Sequence, residues 1–96
     1  MSEPIPGTRN VLIGRLVAAP VLKTTPGGGR IAILRVSVRN THQYDLIAFG
    51  RLVNGLNALT AGSLIYAEGR WQAREGAPPE LVVDVLTLLA ANRPIT

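Results

Sequence analysis

Apolar and polar residues alternate along most of this chain. Over residues 30–39, Ala32, Leu34, Val36 and Val38 fall on one side, and Arg35, Ser37 and Arg39 on the other. That two-residue period predicts a strand with one core face and one wet, basic face. Residues 63–74 repeat the pattern. Ile65, Ala67, Gly69, Trp71 and Ala73 share one face, and Tyr66, Glu68, Arg70, Gln72 and Arg74 the other. Residues 9–25, rich in Val, Leu and Ile, read as one long strand interrupted by Pro20, since proline suits a bulge or an edge rather than a central ladder. Residues 44–49 and 81–89 supply two more strands.

The period changes once. Between residues 51 and 60, Leu52, Val53, Leu56 and Leu59 form one helical stripe, and Gly62 is placed to end it. Gly55 inside the stripe predicts a short helix. Turns are expected at Thr25-Pro26-Gly27-Gly28-Gly29, at residues 40–43, and in the Glu75-Gly76-Ala77-Pro78-Pro79-Glu80 hairpin. Residues 1–8, with two prolines and a glycine, read as a flexible N-terminal tail. Residues 9–90 form the domain, and residues 91–96 read as a C-terminal tail. The order is strand, strand, strand, helix, strand, strand. This is the layout of an all-β, five-stranded OB-fold, a Greek-key barrel with one short helix between strands 3 and 4, whose open face binds oligonucleotides and oligosaccharides. Gly14 and Gly69 suit sharply coiled barrel strands.

Composition narrows this further. Ninety-six residues with 47% apolar and 17% charged content make one folded domain, apolar enough for its size to suggest a subunit interface. The longest apolar runs fall well short of the ~18 residues of a membrane span, and residues 1–9 hold no secretory apolar segment. No cysteine is present, which excludes disulfides and thiolate metal sites and fits a cytoplasmic location. The net charge of +4 comes from nine arginines and one lysine against six acids. Arginine forks bind phosphate at two points and stack on bases, so the balance points to a polyanionic partner. No Ser/His/Asp set, carboxylate pair or metal-ligand cluster appears. His42 has no partner in sight, and Gly27-Gly28-Gly29 lacks the Lys-Ser/Thr of a phosphate-cradling loop. No enzyme activity, cofactor or metal is expected.

Four ordered segments resemble the bacterial single-stranded DNA-binding protein family. Asn10-Val11-Leu12-Ile13-Gly14-Arg15-Leu16, followed by Pro20 and Pro26-Gly27-Gly28, is similar to its opening strand and turn. Phe49-Gly50-Arg51-Leu52 resembles its helix start. Gly62-Ser63-Leu64-Ile65-Tyr66-Ala67-Glu68-Gly69 resembles its G-S-x-V-Y-V-E-G segment, and Leu81-Val82-Val83-Asp84-Val85 its closing strand. The resemblance covers residues 9–89. It implies sequence-independent binding of single-stranded DNA in replication, recombination or repair, by a homo-oligomer, dimer or tetramer. Phe49 matches a stacking aromatic, Lys23 a basic position near the bound DNA strand and Arg9 a basic position before strand one, and Gln72 and Arg74 fall where the family often places Arg or Lys.

The departures are equally specific. Gln43 stands where the family carries a Trp, and Asn40, Thr41 and His42 stand where a second is usual. Both hairpins are short, and the acidic tail ending in Pro-Phe does not occur in this sequence, so no partner recruitment through it is expected. Arg35, Arg39, Arg70 and Arg74 are candidates for a phosphate track, with Glu68 the one acid expected among them, against the alternative of an ordinary solvated face. Phe49 is either a stacking platform or core. Tyr66 either stacks or packs at a subunit contact. Trp71 belongs by its alternation to the core, and Tyr44 to the core or an interface. Two rival readings share the fold: a primosomal replication-restart protein, which is poor in stacking aromatics, and a protein–protein adaptor.

Overall fold

A computed structural model of the chain describes residues 4–91. Six strands are present: β1 (Arg9–Leu16), β2 (Val21–Thr24), β3 (Arg30–Val38), β4 (His42–Phe49), β5 (Leu64–Arg74) and β6 (Ala77–Ala90). The sheet order is β1-β5-β6-β4-β3-β2, and β1 also pairs with β3. Five strands therefore close into a ring, β1-β5-β6-β4-β3-β1, while β2 adds a short strand outside β3. All pairings are antiparallel except β4 with β6. This connectivity is the OB barrel that the alternation predicts. No helix among the described residues is long and apolar enough to cross a membrane.

The barrel core is the inward half of each alternating strand. Leu12 and Leu16 come from β1, Ala32, Leu34, Val36 and Val38 from β3, Leu46 and Ala48 from β4, Ile65, Ala67 and Trp71 from β5, and Leu81 and Val83 from β6. Trp71 is 3% exposed and packs at a tilt against the half-buried Tyr44 ring, with centroids 5.7 Å apart. Its place with the core follows the alternation.

The structure differs from the sequence reading at four places. The long first strand is two strands with different partners. Around Pro20 the chain turns away from β5 and lays β2 against β3 instead. The helix consists of two 3-10 turns, Gly50–Val53 and Leu56–Ala58, because Gly55 between them adopts φ 90°, a left-handed conformation that no right-handed helix continues through. Its apolar stripe still works: Val53, Leu56 and Leu59 are buried and cap the core. The Glu75–Glu80 hairpin is tighter than expected, since β6 begins at Ala77 and pairs it with Arg74 across a turn at Gly76, whose φ is 71°. Finally, β3 ends at Val38. Arg39 and Asn40 take φ of 55° and 57° in the β3–β4 turn, so Arg39 sits at the barrel's end and not on the strand face.

Of the residues read as an N-terminal tail, Gly7 and Thr8 extend the β1–β5 ladder: Gly7 N donates to Trp71 O at 2.8 Å, and Trp71 N to Thr8 O at 2.9 Å. Met1, Ser2 and Glu3, and residues 92–96 of the other tail, lie outside the described residues.

Ring closure rests on two close approaches. A Cβ on Gly14 would lie 2.5 Å from Ser37 O and 2.6 Å from Val36 Cγ1, where β1 crosses onto β3. A Cβ on Gly69 would collide with the Val82 backbone at the β5–β6 bulge. Gly14→Ala and Gly69→Ala should each lower unfolding stability by about 2 kcal/mol or more, as overpacked sites do. Gly27→Ala, whose Cβ meets nothing within 4 Å, should change it little. Urea denaturation of the three variants checks this.

Candidate nucleic-acid interface

The outward half of the alternation forms a second surface, and strand register sets its rows. One row runs Lys23–Ile31–Phe49 across β2, β3 and β4. The adjoining row crosses all six strands: Val21–Ile33–Ile47–Val82–Arg70–Arg9. The next pairs Arg35 with Asp45. Phe49 is 47% exposed. It ends β4 because Gly50 turns the chain with φ 60°, leaving the ring at the strand end with Arg51 two residues on. Of the two options for Phe49, core or surface, the geometry gives surface. Ile31, Ile33 and Ile47 beside it are half-buried, and Val21 is exposed. Base faces would meet one aromatic ring flanked by aliphatic side chains.

The cations divide into committed and uncommitted groups. Arg9 bonds both Glu68 and Asp84, tying β1, β5 and β6 together. Arg35 Nε donates to Asp45 Oδ1 at 2.9 Å. Arg74 donates from Nη2 to Asp45 Oδ2 at 3.0 Å and from Nε to Pro78 O at 2.7 Å, and lies 3.7 Å from Glu80. Gln72 donates to Glu80 at 3.3 Å. Glu68 is thus not the one acid among the outward arginines: Asp45, Glu80 and Asp84 arrive from β4 and β6 by register. Arg70 donates to Gly7 O at 2.9 Å and makes no ion pair among the described residues. Lys23, Arg39 and Arg51 form no side-chain hydrogen bond or ion pair within the described residues.

These nine sequence-selected residues do not form one patch. Lys23 and Phe49 share a row, Arg70 and Arg9 share the next, and Arg35, Arg74 and Gln72 adjoin them through Asp45 and Glu80. Tyr66 lies on the β1–β5–β6 side, donating its hydroxyl to Glu68 at 2.9 Å beside Ile13. Arg39 is at the opposite end of β4 from Phe49, about 20 Å away at the ~3.3 Å rise of a strand. It lines a separate cleft of about 700 Å³ with Val38, Tyr44 and Trp71, where His42 stacks on Tyr44 with centroids 6.3 Å apart. Arg51 was signalled by adjacency to Phe49. The aliphatic rows and the role of Asp45 had no local signal, because they depend on register. Among the described residues no group of three or more His, Asp or Glu is placed to hold a metal.

Electrostatics follow the pairs. Arg35 beside Asp45 holds its carboxyl below the usual carboxylate range, against partial burial and with help from Arg74. Arg9 does the same for Glu68, aided by the Tyr66 hydroxyl, and for Asp84. The Glu68 carboxylate in turn pushes the Tyr66 phenol up.

Crystal structures that share this fold include two SSB proteins. The SSB domain of a Synechococcus sp. protein superposes with a TM-score of 0.75 at 18% identity, covering 81% of this chain and 91% of that one. A deletion mutant of the single-stranded DNA binding protein from Thermus aquaticus gives 0.79 at 23% identity, covering 90% of this chain and 42% of that one. The chain therefore spans less than half of the Thermus protein. These likenesses establish the fold of SSB domains. No protein-family model matches the chain, and no curated protein matches it in sequence.

The three carboxylates have folded-state pKa values below their unfolded values. Their pairs therefore stabilise the fold above about pH 4 and lose that contribution as pH falls through the folded values. The melting temperature should drop between about pH 5 and pH 3. Asp45→Asn should show a shallower drop, and a melting series in both proteins reads the difference.

Proposed function

We propose that this chain binds single-stranded DNA without sequence preference, on the outer face of β2, β3 and β4. The observation that carries this is the Lys23–Ile31–Phe49 row, which sets an exposed ring and an uncommitted cation in one register line, with Arg51 two residues on in the chain. Stacking on the ring supplies base affinity and the cations supply phosphate affinity, the usual partition on single-strand surfaces. The likeness to SSB domains supports the same reading. Its biological setting would be DNA replication, recombination or repair in the cytoplasm, alongside other replication or restart proteins.

Self-association belongs to this reading. The β1–β5–β6 side exposes Val11, Ile13, Val85 and Leu89. The β1 edge from Arg9 to Gly14 has no partner strand among the described residues beyond β5. An open strand edge flanked by apolar side chains invites pairing with a second copy. A second functional reading, a restart or adaptor module that docks a protein, is favoured by the exposed Val21 and Leu22 and by the presence of a single aromatic on the DNA-facing rows.

Fluorescence titration with oligo-dT should show binding that weakens steeply with salt; absence of binding at low salt would sink the DNA reading. Phe49→Ala should cost about 1–3 kcal/mol of affinity, the range for one stacked base. Lys23→Ala and Arg51→Ala should each reduce the salt slope by about 0.7, the value for one phosphate on a single strand. If all three variants bind DNA as the parent does while a protein partner is lost, the adaptor reading stands. In sedimentation velocity, Ile13→Glu should shift an oligomer toward monomer.

A further inference from the structure

The Arg35–Asp45–Arg74 cluster lies beside the Phe49 rows, and its two arginines are held differently. Arg74 is engaged on every nitrogen: Nε by Pro78 O, Nη2 by Asp45 and Nη1 by Glu80. It is a strut between β4, β5 and β6. Arg35 is engaged on one side alone. Its Nε and Nη2 meet the two Asp45 oxygens at 2.9 and 3.5 Å, while the rest of the guanidinium points outward and its side chain is 58% exposed. Asp45 itself is 19% exposed, packed at the base of the fork.

That side-on fork is how arginine holds a carboxylate or a phosphate, with two parallel N–H donors meeting two oxygens. The cluster opens into a cleft of about 220 Å³ lined by Gln43, Pro78 and Pro79, several times the ~30 Å³ share of one water. A phosphate oxygen can therefore reach Arg35 from solvent while the carboxylate still occupies the fork. The Arg35 side of the pair faces solvent, where ion pairs are weak, so exchange of one anion for another at Arg35 costs little.

We propose that Asp45 is a built-in competitor for nucleic-acid phosphate. It occupies the Arg35 fork in the free protein, and a phosphate of the bound strand displaces it, while Arg74 stays tied to Glu80 and Pro78. Asp45 thus lowers affinity and keeps Arg35 extended and ready. This inference rests on the single-strand reading above. It also makes Arg35 a conditional contact, distinct from Lys23 and Arg51, which need no exchange.

The test is a double-mutant cycle on oligo-dT affinity against salt. Asp45→Asn keeps the side chain's shape and removes its charge. It should tighten binding roughly three- to tenfold at low salt and leave the salt slope about as in the parent, because Arg35 meets a phosphate in both complexes. In an Arg35→Ala background the same substitution should give no gain. An unchanged or weaker Asp45→Asn protein, or a gain that persists without Arg35, would overturn the exchange. Binding by the parent with no change in the variant rejects the exchange alone; binding by neither protein rejects the single-strand reading with it. Should Asp45→Asn fail to fold, the parent still decides. The Arg35 Nε–H resonance should move on saturation with oligo-dT and that of Arg74 should not, and a stationary Arg35 signal rejects the proposal.

Discussion

Closure of the sheet at Gly14 is the constraint on which the other features depend. β1 pairs with β5 over seven positions but meets β3 through Arg15 and Leu16 alone. That narrow seam converts an open sheet into a barrel. It requires β1 to approach the Ser37 carbonyl and the Val36 side chain more closely than any Cβ allows. Once the seam is made, every inward side chain faces one shared core and every outward one joins a continuous outer surface. The row from Val21 to Arg9 crosses six strands through the other pairings, and closure bends it around the barrel. The same geometry gathers Trp71, Tyr44 and Val38 at one end and the 3-10 turns at the other.

Closure also decides the electrostatics. The chain carries a net +4, yet its outward arginines do not present that charge uniformly. Register sets Asp45 beside Arg35 and Arg74, and Glu68 and Asp84 beside Arg9. These exposed pairs contribute little to stability individually. Their larger effect is to neutralise Arg9, Arg35 and Arg74, while Arg15, Lys23, Arg30, Arg39, Arg51 and Arg70 make no ion pair among the described residues. A surface that looks evenly basic in sequence therefore carries its unpaired charge at particular positions, with Lys23 in the Phe49 row and Arg70 in the next.

Alternation alone made the core of β3 and β5 legible. Ala32, Leu34, Val36, Val38, Ile65, Ala67 and Trp71 are all buried, because a half-buried strand writes its facing into every second residue. The five strands of the ring and the position of the helical segment were legible for the same reason, though not the split of the first strand into β1 and β2, and so was the exposure of Phe49 as one of two options. The ion pairs were not. Arg35 and Asp45 are ten residues apart, and Arg74 and Asp45 twenty-nine, so their contact depends on hairpin register and on the β4–β6 pairing. Arg39 was misplaced because alternation carries no mark of where a strand stops. The left-handed backbone at Arg39 and Asn40 ends β3 one residue earlier than the pattern does.

The composition of the Phe49 rows bears on how such a surface would read a strand. Around the ring stand Ile31, Ile33, Ile47 and Val21, side chains with no hydrogen-bonding groups to match against base edges. Phosphate contacts from Lys23 and Arg51 would carry no sequence information either, and a stacking ring accepts any base because every base has a π-face. Two of the nearby polar groups that are able to discriminate are already engaged: Gln72 with Glu80, and Asp45 with two arginines. On the proposed reading, indifference to sequence follows from which groups the barrel leaves unoccupied. With one ring available, affinity leans on charge, so whether Arg35 is held by Asp45 or released to phosphate becomes a substantial fraction of the total.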